Sequence, residues 1–203
     1  VVKSQRSGTQ VIDVRDAIDF AGAHLTGSIN IGLKGKYATW CGTVLDKEKP
    51  IIVLADEGDE EEAIMRLGRI GFDRVQGYVA GGPQALELQP ELIAGTDRIT
   101  SLALAEELEK QAMLVVVDVR APKEWQDGHI NGSINMPLNH LAELAKELPK
   151  EKTLVVHCKS GYRSSIAASI LQEQGFEHVL DLVGGFDAWT ASKLPIADPV
   201  VAS

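Results

Sequence analysis

The apolar positions of this chain fall into short β-branched runs and into longer segments of helical periodicity. Thr153 to His157 is a run of the first kind. The segment from Ser164 to Gln174 places Ile166, Ile170 and Leu171 at helical spacing, and Gly175 follows it as a stop. The pattern predicts a strand that passes through a short glycine-containing loop into a helix.

A similar pattern occurs earlier in the chain. Val11 to Arg15 matches Val116 to Arg120 at a constant offset of 105 residues, and a spacing this long indicates duplicated domains. Further residues match at the same offset: His24, Gly27, Ser28, Ile29 and Asn30 correspond to His129, Gly132, Ser133, Ile134 and Asn135.

Two later segments extend the repeat. Pro50 to Ala55 corresponds to the strand before Cys158, and Ala80-Gly81-Gly82 corresponds to Val183-Gly184-Gly185. Between Gln89 and Thr100 the pattern is interrupted by proline and glycine. We therefore predict two domains, residues 1–95 and 96–203.

The loop after the second copy's strand carries a cysteine in cationic surroundings. Cys158 lies just before the predicted helix, where unpaired backbone N–H groups and the helix dipole favour a thiolate and the anion that it attacks. Lys159 and Arg163 add two cations, and Gly161 allows successive N–H groups to turn inward. A packed core cysteine is the alternative, but these neighbours favour a nucleophile.

Four motifs in this half, in chain order, resemble those of the rhodanese family of sulfurtransferases. They are Asp118-Val119-Arg120, Gly128-His129-Ile130-Asn131-Gly132-Ser133-Ile134-Asn135, Cys158-Lys159-Ser160-Gly161-Tyr162-Arg163-Ser164 and Gly184-Gly185-Phe186-Asp187-Ala188-Trp189. The resemblance implies the α/β fold class, with two rhodanese-like domains that are each a small parallel β-sheet flanked by α-helices.

The resemblance also implies a sulfurtransferase that works in two half-reactions. Cys158 would take sulfane sulfur from thiosulfate or a low-molecular-weight persulfide, and cyanide, sulfite or glutathione would then remove it from the Cys158 persulfide. Cys158 and Arg163 are the candidate catalytic residues, and no metal or other cofactor is expected in this chain. The candidate substrate-binding residues are Lys159, Ser160, Gly161, Tyr162 and Ser164, with Asp118, Arg120 and His129 as supporting residues.

The first copy departs from this chemistry. Alignment of the two loops places Ala55 where the nucleophile should be and Glu60 where the arginine should be. The neighbouring carboxylates would repel an anionic sulfur donor, although acidic residues suit a helix N-terminus. We expect a catalytically silent domain that keeps the fold. A cation site is the rival interpretation, but adjacent acids at a helix start are usually solvated.

Other residues with reactive or ionisable side chains are expected to have structural roles. Nothing cationic surrounds Cys41, so we expect a cysteine packed beside Trp40 rather than a resolving thiol. His24 and His129 occupy equivalent places in both copies, which favours a role in holding the loop, and the same reasoning makes the Asp-x-Arg pairs a scaffold. His157 is expected to face the core, with tuning of the thiolate as the alternative.

Composition and charge argue against a membrane-spanning, a nucleic-acid-binding and a disulfide-rich protein. The 203 residues are 44% hydrophobic, and no apolar run approaches the length of a membrane span. The net charge of −9 argues against nucleic acid and makes the cationic loop a local exception suited to a small anionic substrate. With only two cysteines, far apart in sequence, a disulfide scaffold is not supported, and a reducing cytoplasm fits best.

Two rival functions remain open at this point. A cysteine phosphatase or arsenate reductase also uses a cysteine, a backbone cradle and an arginine, but its loop encloses five residues, whereas Cys158 and Arg163 enclose four. The other rival is a non-catalytic protein-interaction module in which Cys158 merely survives.

The start of the chain suggests a relation to a larger protein. Only ten residues precede Val11, whereas the second copy has an opening segment from about Ile99 to Met113, so we expect an N-terminally truncated first domain. The stretch Gly35-Lys36-Tyr37-Ala38-Thr39-Trp40, with a silent domain before an active one, resembles the C-terminal half of fusions with a metallo-β-lactamase-like persulfide dioxygenase. Non-haem iron would then belong to that other domain only.

Overall fold

A computed structural model describes residues 1–110 and 113–197, which form two units divided between Gly95 and Thr96. Residues 111 and 112, within the predicted opening segment of the second domain, and residues 198–203 at its end lie outside the described ranges. Each unit is built around its own parallel sheet.

The first unit is built around a parallel sheet of four strands. Its strands are β1 (Gln10–Asp13), β2 (His24–Leu25), β3 (Ile29–Asn30), β4 (Ile51–Leu54), β5 (Val75–Tyr78) and β6 (Ile93–Ala94). The sheet has the order β3-β1-β4-β5, and β2 and β6 form a short antiparallel pair. The helices are α1 (Val2–Arg6), α2 (Ala17–Gly22), α3 (Tyr37–Val44), α4 (Glu60–Gly68) and α5 (Gln84–Glu87), with a 3₁₀ turn at Pro90–Leu92.

The second unit is built around a parallel sheet of five strands. Its strands are β7 (Asp97–Ile99), β8 (Leu114–Asp118), β9 (His129–Ile130), β10 (Ile134–Asn135), β11 (Thr153–His157), β12 (Val179–Leu182) and β13 (Ile196–Ala197). The sheet has the order β10-β8-β11-β12-β7, and the antiparallel pair of β9 and β13 corresponds to that of β2 and β6. The helices are α6 (Ser101–Glu109), α7 (Pro122–Gln126), α8 (Leu141–Leu144), α9 (Tyr162–Glu173) and α10 (Gly185–Ala191), with 3₁₀ turns at Leu138–His140 and Ala145–Glu147.

The central strands are apolar on both faces because helices cover both sides of a parallel sheet. In β11, every residue from Leu154 to His157 is buried. Helix α9 is buried along Ser164 to Leu171, and the small residues there allow a close approach to the sheet. The predicted strand, loop and helix are therefore present, and the helix begins two residues earlier than the apolar spacing indicates.

The two sheets differ at one edge. In the second unit β7 lies beside β12, in parallel, whereas β5, the counterpart of β12, is an edge strand among the described residues. The expected fold class of two α/β domains with parallel sheets and flanking helices is confirmed. No helix within the described ranges has the length and apolarity required to cross a membrane.

Candidate functional site

Cys158 lies directly after β11, the middle strand of the second sheet. The loop that follows leads into α9, whose N-cap is Gly161 with a φ of 118°. The backbone N–H of Gly161 donates to Cys158 Sγ at 3.2 Å. The residue is only 1% exposed, so the sulfur is held inside the start of the loop and a donor must reach it there.

Two backbone carbonyl groups of this loop are hydrogen-bonded to the start of α10. The carbonyl oxygen of Cys158 accepts from Phe186 N–H at 2.8 Å, and that of Lys159 accepts from Asp187 N–H at 2.9 Å. Gly185 lies between these contacts with a φ of +57°, and a Cβ built there would be 2.5 Å from the Cys158 carbonyl oxygen. Glycine at this position therefore permits the close approach that orients the two carbonyl groups toward α10.

The guanidinium of Arg163 is bound to a carboxylate that the sequence analysis missed. Nη1 and Nη2 donate to the two carboxylate oxygens of Glu124 at 2.7 and 2.9 Å. The hydrogen bond from Arg163 lowers the pKa of Glu124 to about 2. The same bond raises the pKa of Arg163, as does the nearby Cys158. Glu124 also accepts a hydrogen bond from Ala121 N–H at 3.1 Å. Its position near the start of a helix therefore predicted a capping role from the sequence, but not the ion pair with Arg163.

Asp118 and Arg120 form a buried ion pair at the end of β8. Arg120 Nη2 lies 2.6 Å from Asp118 Oδ2 and donates to the carbonyl of Gly128 at 2.8 Å. Asn135 ties the same turn by donating to the carbonyls of Asp118 and Arg120, each at 3.0 Å. These contacts hold the end of β8 against the turn that begins at Gly128.

His129 packs against α7. Its Nδ1 lies 2.9 Å from the Trp125 carbonyl oxygen, and its ring stacks on the Trp125 ring with centroids 3.7 Å apart. His24 makes the corresponding contacts with Phe20 in the first unit, at 2.7 Å and 3.8 Å. The pair thus has one and the same packing role in both units.

His157 is fully buried next to Cys158. Its Nδ1 lies 3.2 Å from the Cys158 carbonyl oxygen, and Nε2 lies 3.5 Å from Asp118 Oδ2. Burial lowers the pKa of His157, against the opposing charge of Asp118. On its other side the ring stacks with Phe186, which also lies 4.0 Å below the guanidinium of Arg120.

Ser164 connects the loop to a second buried carboxylate. Its hydroxyl lies 2.6 Å from Asp181 Oδ1 and 3.1 Å from the Gly161 carbonyl oxygen. Asp181 is in turn 3.5 Å from Arg98 Nε on β7, and burial raises the pKa of Asp181. Sequence reasoning identified Ser164 but neither Asp181 nor Arg98, because both are distant in sequence and match no part of the loop motif.

The remaining loop residues are more open to solvent. Lys159 and Ser160 are exposed, while Gly161 and Tyr162 are half-buried. Within the part of the chain that the structure describes, the Lys159 ammonium has no ion pair. Lys159 is therefore the loop cation whose charge is not matched by a neighbouring carboxylate.

The model of the rhodanese-like domain matches residues 2–87 and 101–192. The chain belongs to the rhodanese family. A sulfurtransferase of Allochromatium vinosum is 35% identical over 103 residues, which are 51% of this chain and 96% of that protein. The thiosulfate sulfurtransferase GlpE of Coxiella burnetii is 37% identical over 87 residues, which are 43% of this chain and 81% of that protein.

A solved structure is also similar. A rhodanese-related protein from Thermoplasma volcanium is 33% identical, with a TM-score of 0.46, and the alignment covers 50% of this chain and 97% of that one. The two sulfurtransferase relatives support a rhodanese-type enzyme as the general class.

The first rhodanese-like domain keeps the scaffold around a different loop. Arg15 Nη2 lies 2.6 Å from Asp13 Oδ2 and donates to the Ala23 carbonyl at 2.8 Å, as in the second domain. Ala55 is buried at the end of β4, and a Cβ built on Gly82 would lie 2.7 Å from its carbonyl oxygen. The Gly-Gly contact is thus retained where the loop has no thiol.

The first domain's cysteine is buried, and its acidic cluster lies at the start of a helix. Cys41 is fully buried in α3, and burial raises the pKa of its thiol to about 12. Glu60, Glu61 and Glu62 form the first turn of α4, where acidic side chains suit the helix dipole. Among the described residues, no cluster of three or more His, Cys, Asp or Glu side chains is arranged to hold a metal ion.

Proposed function

We propose that the second domain transfers sulfane sulfur through a persulfide on Cys158. The observation that carries this proposal is the Gly161 N–H bonded to the Cys158 sulfur at the start of α9, beside Arg163. A backbone donor in this place stabilises a thiolate and, after reaction, the anionic terminal sulfur.

The first half-reaction would be a displacement at sulfur. The Cys158 thiolate attacks the outer sulfur of thiosulfate, the S–S bond of the donor breaks, and sulfite leaves with the bonding electrons. A low-molecular-weight persulfide would react in the same way and release its thiol. The product is a Cys158 persulfide, and no redox cofactor is needed because the displacement conserves electrons.

The second half-reaction would restore the free enzyme. Cyanide, sulfite or glutathione attacks the terminal sulfur, and the Cys158 thiolate leaves. Lys159 is exposed at the entrance of the loop and would attract the charged end of the donor, and Arg163 would complete the cationic side of the site. Asp118, Arg120 and His129 would act by holding the loop rather than by contact with the donor.

We further propose that the first domain does not form a persulfide, because Ala55 replaces the nucleophile. The suggested fusion with a metallo-β-lactamase-like domain stays a prediction, as does a cytoplasmic location. The cysteine phosphatase and interaction-module functions become outcomes of the test below.

Intact mass spectrometry tests the proposal. The chain is incubated with thiosulfate or glutathione persulfide and compared with Cys158→Ser and with Cys41→Ser, which removes the other cysteine. We expect a gain of one sulfur, about 32 Da, in the wild type and in Cys41→Ser, and none in Cys158→Ser. Absence of an adduct with both donors contradicts the proposal, and hydrolysis of an aryl phosphate by the wild type would favour the phosphatase instead.

A further inference from the structure

The ion pair between Arg163 and Glu124 changes the charge that the sulfur site presents. Arg163 is the loop arginine, yet two of its N–H groups are bound to the Glu124 carboxylate. The Glu124 pKa of about 2 means that this carboxylate is ionised throughout the physiological range. The pair therefore has no net charge, and Lys159 provides the unmatched positive charge of the loop.

This arrangement belongs to the second domain alone. The residue 105 positions before Glu124 is Asp19, which is exposed, and the residue aligned with Arg163 is Glu60. The first domain therefore has two acids where the second has an ion pair, although both domains share the Asp-x-Arg scaffold. A contact needed only for the fold would be expected in both copies.

We propose that Glu124 is a specificity-determining residue that sets the donor charge accepted at Cys158. The inference rests on the proposed sulfur transfer. With Glu124 ionised, the Arg163–Glu124 pair is neutral and Lys159 offsets the Cys158 thiolate, so no positive charge is left for the donor. Loss of the Glu124 charge adds one positive charge, whose attraction is twice as large for a dianionic donor as for a monoanionic one. Glu124 acts on the donor through Arg163 and through the local field, without taking part in the displacement.

Glu124→Gln isolates the charge, since the amide has almost the same shape. Thiosulfate is a dianion, and methanethiosulfonate is a monoanion whose outer sulfur is likewise bonded to a sulfonyl sulfur. We expect the ratio of their second-order rate constants for Cys158 loading, thiosulfate over methanethiosulfonate, to rise about three- to tenfold in Glu124→Gln. The rise should shrink with added salt, because the site is partly open to solvent.

Three variants serve as controls for Glu124→Gln. Glu107→Gln makes the same chemical change at an ion-paired glutamate of similar exposure, 42% against 35% for Glu124, and should leave the ratio unchanged. Glu124→Asp keeps the charge with a shorter reach, so its ratio should stay near the wild-type value even if loading slows. Glu124→Ala also removes the charge, and it replaces Glu124→Gln in the test if the glutamine variant folds poorly.

The outcomes separate this inference from the proposed function. Equal changes for both donors in Glu124→Gln, or an equal rise of the ratio in Glu124→Asp, would overturn the charge-setting role and assign Glu124 to loop geometry alone. If the wild type takes up sulfur from neither donor, the sulfur transfer itself is wrong. If the wild type is loaded normally and the ratio does not move, only the role of Glu124 is wrong.

Discussion

Replacement of Gly185 by alanine should damage both the stability and the chemistry of the second domain. Alanine incurs a left-handed penalty at a φ of +57°, roughly 1–2 kcal/mol. Its Cβ would also lie 2.5 Å from the Cys158 carbonyl oxygen and 2.8 Å from that of Lys159, closer than real Cβ contacts. The peptide groups of Cys158 and Lys159 must therefore move.

That movement breaks contacts whose contribution can be approximated. Cys158 and Lys159 accept hydrogen bonds from Phe186 and Asp187 at 2.8 and 2.9 Å, and each such bond contributes about 1 kcal/mol. Together with the backbone penalty, we expect Gly185→Ala to lower the free energy of unfolding by about 2–4 kcal/mol. Because the sulfur sits on the displaced peptide, persulfide loading should fall at least tenfold in the fraction that remains folded.

Two other glycines provide matched controls. Gly132 has a φ of +78° with nothing within 4 Å of a built Cβ, so Gly132→Ala should cost only the backbone penalty, roughly 1–2 kcal/mol. Gly82 has a φ of +55° and a Cβ position 2.7 Å from the Ala55 carbonyl oxygen. Gly82→Ala should therefore destabilise the first domain while leaving the rate of Cys158 loading unchanged.

Urea denaturation gives the unfolding free energies, and timed intact mass spectra give the loading rates. A Gly185→Ala protein with the stability of Gly132→Ala and the loading rate of the wild type would refute the steric argument. A loss of loading in Gly82→Ala equal to that in Gly185→Ala would show that the effect is general destabilisation rather than displacement of the loop.

Three further predictions concern buried and paired ionisable groups. Ser164→Ala removes the hydroxyl 2.6 Å from the buried Asp181 carboxylate and should cost about 1–3 kcal/mol in urea unfolding, more than Ser169→Ala, whose hydroxyl donates to the Ile166 carbonyl in the same helix. Since the pKa of Glu124 is lowered to about 2 from 4.5, its ion pair stabilises the fold above pH 4.5, and this stabilisation is lost as the pH falls toward 2. In Glu124→Gln the free energy of unfolding should therefore fall less between pH 4.5 and 2, by less than about 1 kcal/mol because the pair is so open to solvent. Because burial lowers the pKa of His157 below 6.5, the unfolded chain binds more protons than the folded one just below pH 6.5, so the free energy of unfolding decreases there as the pH falls. In urea denaturation at several pH values, His157→Leu should make this decrease smaller. An unchanged dependence of the unfolding free energy on pH would contradict the lowered pKa of His157.

The sequence predicted the features whose signal is local or repeated. The offset of 105 predicted the two copies, the family motifs predicted two parallel sheets with helices, and the strand before Cys158 was predicted from its own apolar run. Helix α9 was predicted from only three apolar positions, yet its small residues are buried as well. Serine and alanine give a weak hydrophobic signal although they allow the closest packing, which is why the predicted helix started too late.

Features made by contacts between distant residues were missed. Glu124 and Arg163 are 39 positions apart, and a glutamate three residues after the N-cap, here Ala121, is already accounted for by capping. Strand β7 was not predicted from the sequence, for another reason. Asp97 and Arg98 are exposed at the edge of the sheet, so the strand lacks an apolar run, and the nearby proline and glycine predicted only a boundary.

The two copies share one scaffold and differ in the loop that follows the central strand. Asp13 with Arg15 and Asp118 with Arg120 have the same 2.6 Å contact, and Gly82 and Gly185 both pass close to the carbonyl at the end of a central strand. Ala55 and Cys158 both allow this close approach, because it involves the backbone carbonyl and not the side chain. The Asp-x-Arg and Gly-Gly motifs therefore predict the scaffold that both copies share. A function for either copy must be argued from the residues that differ on that scaffold, which are here Cys158, Arg163 and Glu124.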